Sequence, residues 1–307
     1  MDAVSDWVTE PLRYQFMQRA LIEVVLMGAV TGAVGCYVVL RGLSFIGDAL
    51  SHAIFPGIVI AYLLGHSVFI GAMVFGIMTS AAITVVATNR RLKEDSAIGV
   101  LFAGTFALGI VLISSTNNFT RDLASFLFGN VLGATTNDIW VSAGAGLVVV
   151  LFLLLFHREL LIVSFDRVAG ESMGIKVFWI DLLLLLMISL TIVISLRAVG
   201  NILVVAMLVT PAATARLLTD RLPVMLVLSS AIGVFSGIAG LFVSYHADVA
   251  AGGTIVLVAT GVFGAVWLFA PETGLITGRL IRRRIGDELG EESSVLFESP
   301  QILPPSP

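Results

Sequence analysis

Asp48 and His52 are the residues of this sequence best placed to do chemistry. They lie four apart in RGLSFIGDALSHAIFPG, residues 41–57, within an otherwise apolar stretch. On a helix, positions i and i+4 share a face, so the carboxylate and imidazole stack one turn apart with Ser51 beside them. A hard oxygen and a borderline nitrogen together can hold a divalent cation. Manganese, iron(II) or zinc suits that pair better than magnesium or calcium, which prefer oxygen alone. Two ligands bind weakly, which suits a site that must also release its ion. The same groups can relay a proton. Alternatively, Asp48 can cap a helix start while His52 bonds to a neighbouring span. Spacing leaves all three readings open.

The elements that must position this pair are membrane helices. Of the 307 residues, 58% are hydrophobic and 12% charged, roughly half the charge of a soluble domain. Mean hydropathy is +1.03. Apolar runs of about 20 residues recur from Leu21 to Phe269, each long enough to cross a hydrocarbon core of roughly 30 Å. The fold class is therefore all-α, a polytopic membrane protein of about eight to nine transmembrane helices. The spans are read as 20–40, 45–65, 68–88, 97–115, 138–156, 177–196, 200–216, 223–244 and 253–270. Small-residue spacings such as Gly28/Gly32 and Gly233/Gly237 suit close helix packing.

Charge orients these spans. The loops at Arg41, Arg90–Lys93, Arg158–Lys176 and Arg216–Arg221, with the tail from Arg279, hold 13 of the 17 Lys and Arg residues. The positive-inside rule then places the N-terminus outside and the C-terminus in the cytoplasm of a multi-pass cell-membrane protein. Residues 1–19 read as an acidic, amphipathic extracytoplasmic segment rather than a cleavable signal peptide. Residues 20–278 form the transmembrane domain, and 279–307 an acidic, proline-ending cytoplasmic tail expected to be disordered. Leu123–Leu132, LASFLFGNVL, is too short to cross and is expected to be re-entrant or interfacial.

Several chemistries are excluded. The single cysteine, Cys36, rules out an internal disulfide framework and a Cys-rich metal site and reads as a small buried residue. The only lysines, Lys93 and Lys176, follow Leu92 and Ile175, so there is no Walker Gly-Lys-Ser/Thr. H-E-x-x-H and G-x-S-x-G are also absent. Active transport by this chain must draw on another subunit's ATP hydrolysis or on an ion gradient.

Other ionisable residues have weaker claims. Glu23, a turn into span one, and Asp181, near one end of span six, are expected to snorkel to the interface. His66 and the pair His246/Asp248 fall in outside loops, where they are either a cation entrance or solvated loop residues. Pro56 and Gly57 follow the Asp/His pair, and Thr210 and Pro211 interrupt span seven. These four are candidate gate or hinge positions, because a proline break frees backbone carbonyls that neighbours or a cavity must satisfy.

GAVGCYVVLRGLSFIGDALSHAIFPGI, with LRAVGNILVVAMLVTPAATARLL and DVAAGGTIVLVATG, closely resembles the permease subunits of the ABC importers for manganese, zinc and iron. The similarity runs from about Phe16 to about Pro271, and the long first block looks more like the manganese/iron branch. The resemblance implies a type II-like importer permease, non-catalytic and working as a homodimer around a central pathway. Cytoplasmic ABC ATPase subunits would bind ATP below, and an extracytoplasmic solute-binding protein would deliver Mn2+, or Fe2+ or Zn2+, as transported substrate. No permanently bound cofactor and no nucleic-acid partner are expected.

It also implies that Asp48 and His52 form the metal site in the path, with Ser51, His246 and Asp248 as secondary candidates. The cytoplasmic loop, about 157–176, would dock the ATPase through Asp166, Ala169, Gly170, Glu171 and Gly174. This segment matches the Glu-Ala-Ala-x-x-x-Gly docking loop only in part, since Val168 stands where the glutamate would be. Two alternatives remain: an ion-coupled secondary transporter using Asp48 and His52, and an intramembrane enzyme, which lacks a second ligand cluster.

Overall fold

The computed structural model describes Trp7, residues 9–88, Leu92, and residues 94–114 and 131–270. Among these residues there are helices and no strands. We number them α1 Gln15–Leu40, α2 Ile46–Ala53, α3 Phe55–Leu63, α4 Val68–Ala87, α5 Glu94–Ser114 and α6 Thr136–Leu155. Then follow α7 His157–Phe165, α8 Arg167–Ser172, α9 Val177–Val199, α10 Asn201–Leu218, α11 Leu222–Ala247 and α12 Ala251–Phe269. Among the described residues, nine segments are long and apolar enough to cross a membrane, with α2 and α3 together making one, Ile46–Leu63. Helix α1 starts at Gln15, five residues ahead of the first expected span, because Met17 and Ala20 are fully buried and extend its packed face. The tail from 279 and most of the short segment 123–132 lie outside the described residues; Val131 and Leu132 belong to a 3-10 turn, Val131–Gly133.

In a bilayer the apolar effect does not drive helix against helix, so small residues that let backbones touch decide the packing. A Cβ on Gly28 would meet the backbone carbon of Gly233 at 2.9 Å, and one on Gly32 the Ser229 carbonyl oxygen at 2.8 Å. Ser229 and Ser230 donate their hydroxyls to the carbonyls of Gly32 and Ala29, at 2.7 and 2.9 Å. These contacts seat α11 along α1. Gly57 and Gly71 hold α3 against α4 in the same way, each leaving no room for a side chain.

The main core gathers Val34 and Tyr37 of α1, Ile46 and Leu50 of α2, and Leu184 and Ile188 of α9, all fully buried. Cys36 is likewise wholly buried, donating weakly to the carbonyls of Gly32 and Met225. A second cluster joins Met17, Val24 and Met27 to Leu203, Leu241 and Ile255. Outward faces are apolar too, as with Val100 and Val111 on α5 and Leu257 on α12, which is the arrangement a hydrocarbon solvent calls for.

Two spans are interrupted. At Ile54 the chain leaves α2 and restarts as α3 with proline in its first turn, a position where the missing N–H costs nothing. Pro211 lies inside α10, buried, and Thr214 donates its hydroxyl to the Thr210 carbonyl at 2.7 Å. The carbonyl that loses its helical donor to the proline is that of Met207, one turn earlier.

Candidate functional site

The turn at Gly42, with φ at +70°, lets the chain reverse after α1 and start α2. Asp48 then falls in the first turn of α2 and His52 in its last. No side chain caps the start of α2, so Asp48 is not held there as a helix cap. Its Oδ1 lies 3.5 Å from His52 Nε2, with the two side chains 38% and 24% exposed. Ser51 donates its hydroxyl to the Asp48 carbonyl at 2.7 Å and is buried, so it braces the turn between the pair.

A third polar group, which sequence reasoning missed, comes from α10. The side-chain amide nitrogen of Asn201 is 3.4 Å from the same His52 Nε2. Asn201 is 5% exposed and its Oδ1 is buried with no hydrogen-bond partner. It follows Gly200, whose φ of +85° makes the sharp turn between α9 and α10. A half-turn of the amide would present its oxygen toward His52 instead of its NH2. Both contacts to Nε2 are longer than a good hydrogen bond, so the imidazole is approached by two groups without being locked to either.

The other wall is aromatic. His52 lies edge-on to Phe106 with centroids 5.1 Å apart and is tilted on Phe102 at 5.8 Å. Phe45 and Phe55 extend the wall against Phe102 and Phe106 respectively. The imidazole thus faces a low-dielectric surface, which strengthens its interaction with a cation.

The secondary candidates do not join this site. The His246 ring stacks on Trp7 at 4.3 Å and its Nδ1 is 2.9 Å from the Phe242 carbonyl oxygen. Asp248 sits in the left-handed conformation that ends α11. Among the described residues, no three or more His, Cys, Asp or Glu side chains converge to hold a metal. His66 and Ser67 line an apolar cleft that also includes Ile58 and Ile54, the latter two residues beyond His52.

Glu23 does not snorkel. It is wholly buried, and Ser142 of α6 donates to its Oε1 at 2.5 Å, while Oε2 has no partner.

At the end of the bundle that carries Arg41, four charged side chains converge. Arg41 donates to Asp181 Oδ1 at 2.5 Å and to the Ser164 hydroxyl at 3.1 Å. Arg167 donates to the other Asp181 oxygen and, at 3.2 Å, to Glu94. Asp181, too, is buried rather than snorkelling. Burial works against the Arg167 charge, but the Asp181 and Glu94 carboxylates outweigh it and hold the guanidinium above its ordinary range.

Helix α8 begins beside this network. Asp166 caps it, accepting from the Val168 and Ala169 amides at 2.8 and 3.0 Å. Gly170 packs under it against Val163, and Gly174, with φ at +80°, lets the chain turn away. Asp166, Gly170 and Gly174 therefore shape the helix, while its outward tip carries Val168, Glu171 and Met173. Val168, standing where a docking glutamate was sought, is 73% exposed.

Comparison with known proteins agrees with this architecture. Residues 13–270 match the ABC 3 transport family. The manganese transport system membrane protein MntC of Halalkalibacterium halodurans is 50% identical over 277 residues, covering 90% of this chain and 95% of that protein. The manganese import system permease protein ScaB of Streptococcus gordonii is 43% identical over 272 residues, covering 89% and 96%. Among solved structures, PsaBC from Streptococcus pneumoniae in complex with Fab superposes with a TM-score of 0.77 at 40% identity, covering 88% of this chain and 97% of that one. With nine candidate spans among its described residues and this breadth of similarity, the chain belongs to the ABC 3 transport family.

Proposed function

We propose that this chain is the membrane-spanning subunit of an ATP-driven importer of a divalent transition metal, with manganese the principal substrate. The observation that carries the reading is the Asp48–His52 pair, half-exposed inside a membrane span and 3.5 Å apart. Charged groups in that medium are expensive and are kept for substrate pathways. The names of the similar proteins, manganese transport and import subunits, support the choice of metal. A carboxylate beside one imidazole, joined by the Asn201 amide oxygen once that amide makes a half-turn, is a mostly hard donor set, which suits manganese.

One chain offers too few donors to close a coordination sphere, and the pair stays partly open to the outside of the subunit. A second copy facing it across a central pathway would supply the rest. Alternating access then follows from a change in how the two copies sit against each other. The N-terminus lies outside and the α7–α8 end in the cytoplasm, where α8 docks a separate ATPase through Val168, Glu171 and Met173. An extracytoplasmic binding protein delivers the ion to the opposite end. Pro56, Gly57, Thr210 and Pro211 mark the two span interruptions at which the helices bend during the cycle.

The test is uptake by the chain reconstituted with its ATPase, offered manganese, iron(II) and zinc in turn. ATP-dependent manganese accumulation supports the reading. Accumulation that survives ATP depletion but collapses with a protonophore would replace it with ion-coupled secondary transport.

A further inference from the structure

We infer that Arg167 is a positioning residue that transmits movement of α8 to the metal pair, through Glu94 and helix α5. The inference rests on the proposal that α8 docks an ATPase. Among the described residues, the only side-chain hydrogen bonds from α8 to α5 and α9 are those that Arg167 makes with Glu94 and Asp181. The two arms differ. Asp181 is 5% exposed and also gripped by Arg41, itself 7% exposed, so this arm is a fixed anchor. Glu94 is 22% exposed and is bonded to Arg167 alone among the described residues, so this arm ends on the first residue of α5.

Helix α5 suits a lever. Its outer face is open: a Cβ on Gly99 or Gly104 would meet nothing within 4 Å. Its inner face carries Ile98, fully buried, and then Phe102 and Phe106 against the His52 ring. Glu94 and Phe102 are eight residues apart, a little over two turns and about 12 Å along the axis. One ion pair and one helix therefore connect the docking segment to the imidazole, a contiguous path of the kind along which coupling travels.

The experiment uses the chain assembled with its ATPase in proteoliposomes, measuring manganese transported per ATP hydrolysed for wild type, Arg167→Gln and Glu94→Gln. Arg167→Gln is expected to hydrolyse ATP near the wild-type rate while transport per ATP falls about tenfold. Glu94→Gln, which removes only the α5 arm, is expected to fall in the same direction. A merely structural role would lower assembly and both activities together, leaving the ratio unchanged, and that result overturns the inference. Where Arg167→Gln does not assemble, the Glu94→Gln ratio decides. Cross-linking of Val168→Cys to the ATPase tests docking separately, because the native Cys36 is buried. No cross-link from Val168→Cys to the ATPase in the assembled complex removes the docking proposal and the inference together. A cross-link with an unchanged ratio removes the inference alone.

Discussion

The Asn201 amide and the Asp48 carboxylate approach the same atom, His52 Nε2, at 3.4 and 3.5 Å from opposite partners on α10 and α2. Asn201 has a buried, unpartnered carbonyl oxygen, which is costly unless something uses it. We predict that Asn201→Ala raises the manganese concentration for half-maximal uptake by about tenfold, the usual effect of losing a group that orients a ligand. Radiolabelled uptake at graded manganese concentrations checks this, with the yield of assembled complex as control.

The Glu23–Ser142 bond joins α1 to α6 inside the membrane. Interhelical polar bonds in bilayers average well under 2 kcal/mol, so Ser142→Ala should destabilise the fold by about 0.5–2 kcal/mol. The melting temperature in detergent should drop by a few degrees without loss of expression. No drop would mean that Ser142 contributes nothing to the α1–α6 contact.

Arg41 and Asp181 are both buried, and loss of Arg41 leaves Asp181 with Arg167 as its remaining ion-pair partner among the described residues. Arg41→Ala should therefore cost less than the roughly 3–5 kcal/mol of a fully stranded buried charge, while the double change Arg41→Met with Asp181→Leu should recover part of that loss. Thermal unfolding of the three proteins makes the comparison. Equal losses in the single and double variants would show that the pair is not coupled.

Gly57 admits no side chain. Its Cβ would sit 2.1 Å from the Gly71 carbonyl oxygen, whereas one on Gly99 meets nothing. Gly57→Val should abolish recovery of folded protein and Gly99→Ala should be neutral. Size-exclusion profiles after membrane extraction distinguish the two outcomes.

The spans were legible because a bilayer imposes its thickness on the sequence, so runs such as Val68–Ala87 announce themselves. Asp48 and His52 stood out because ionisable groups are rare in such runs. Asn201 did not, since a neutral amide after a glycine reads as an ordinary turn. Glu23 and Asp181 were misread as snorkelling because their partners come from far along the chain, Ser142 at 119 positions and Arg41 at 140. Arg167 was hidden for the opposite reason: a charge in an extramembrane loop reads as solvated until Glu94 and Asp181 are seen beside it.

The metal role proposed for Asp48 and His52 is tested by ATP-dependent manganese uptake into proteoliposomes containing Asp48→Ala or His52→Ala together with the ATPase. The expected result is normal assembly, with uptake reduced to background in the aspartate variant and strongly reduced in the histidine variant. Manganese accumulation at the wild-type rate by Asp48→Ala would contradict it.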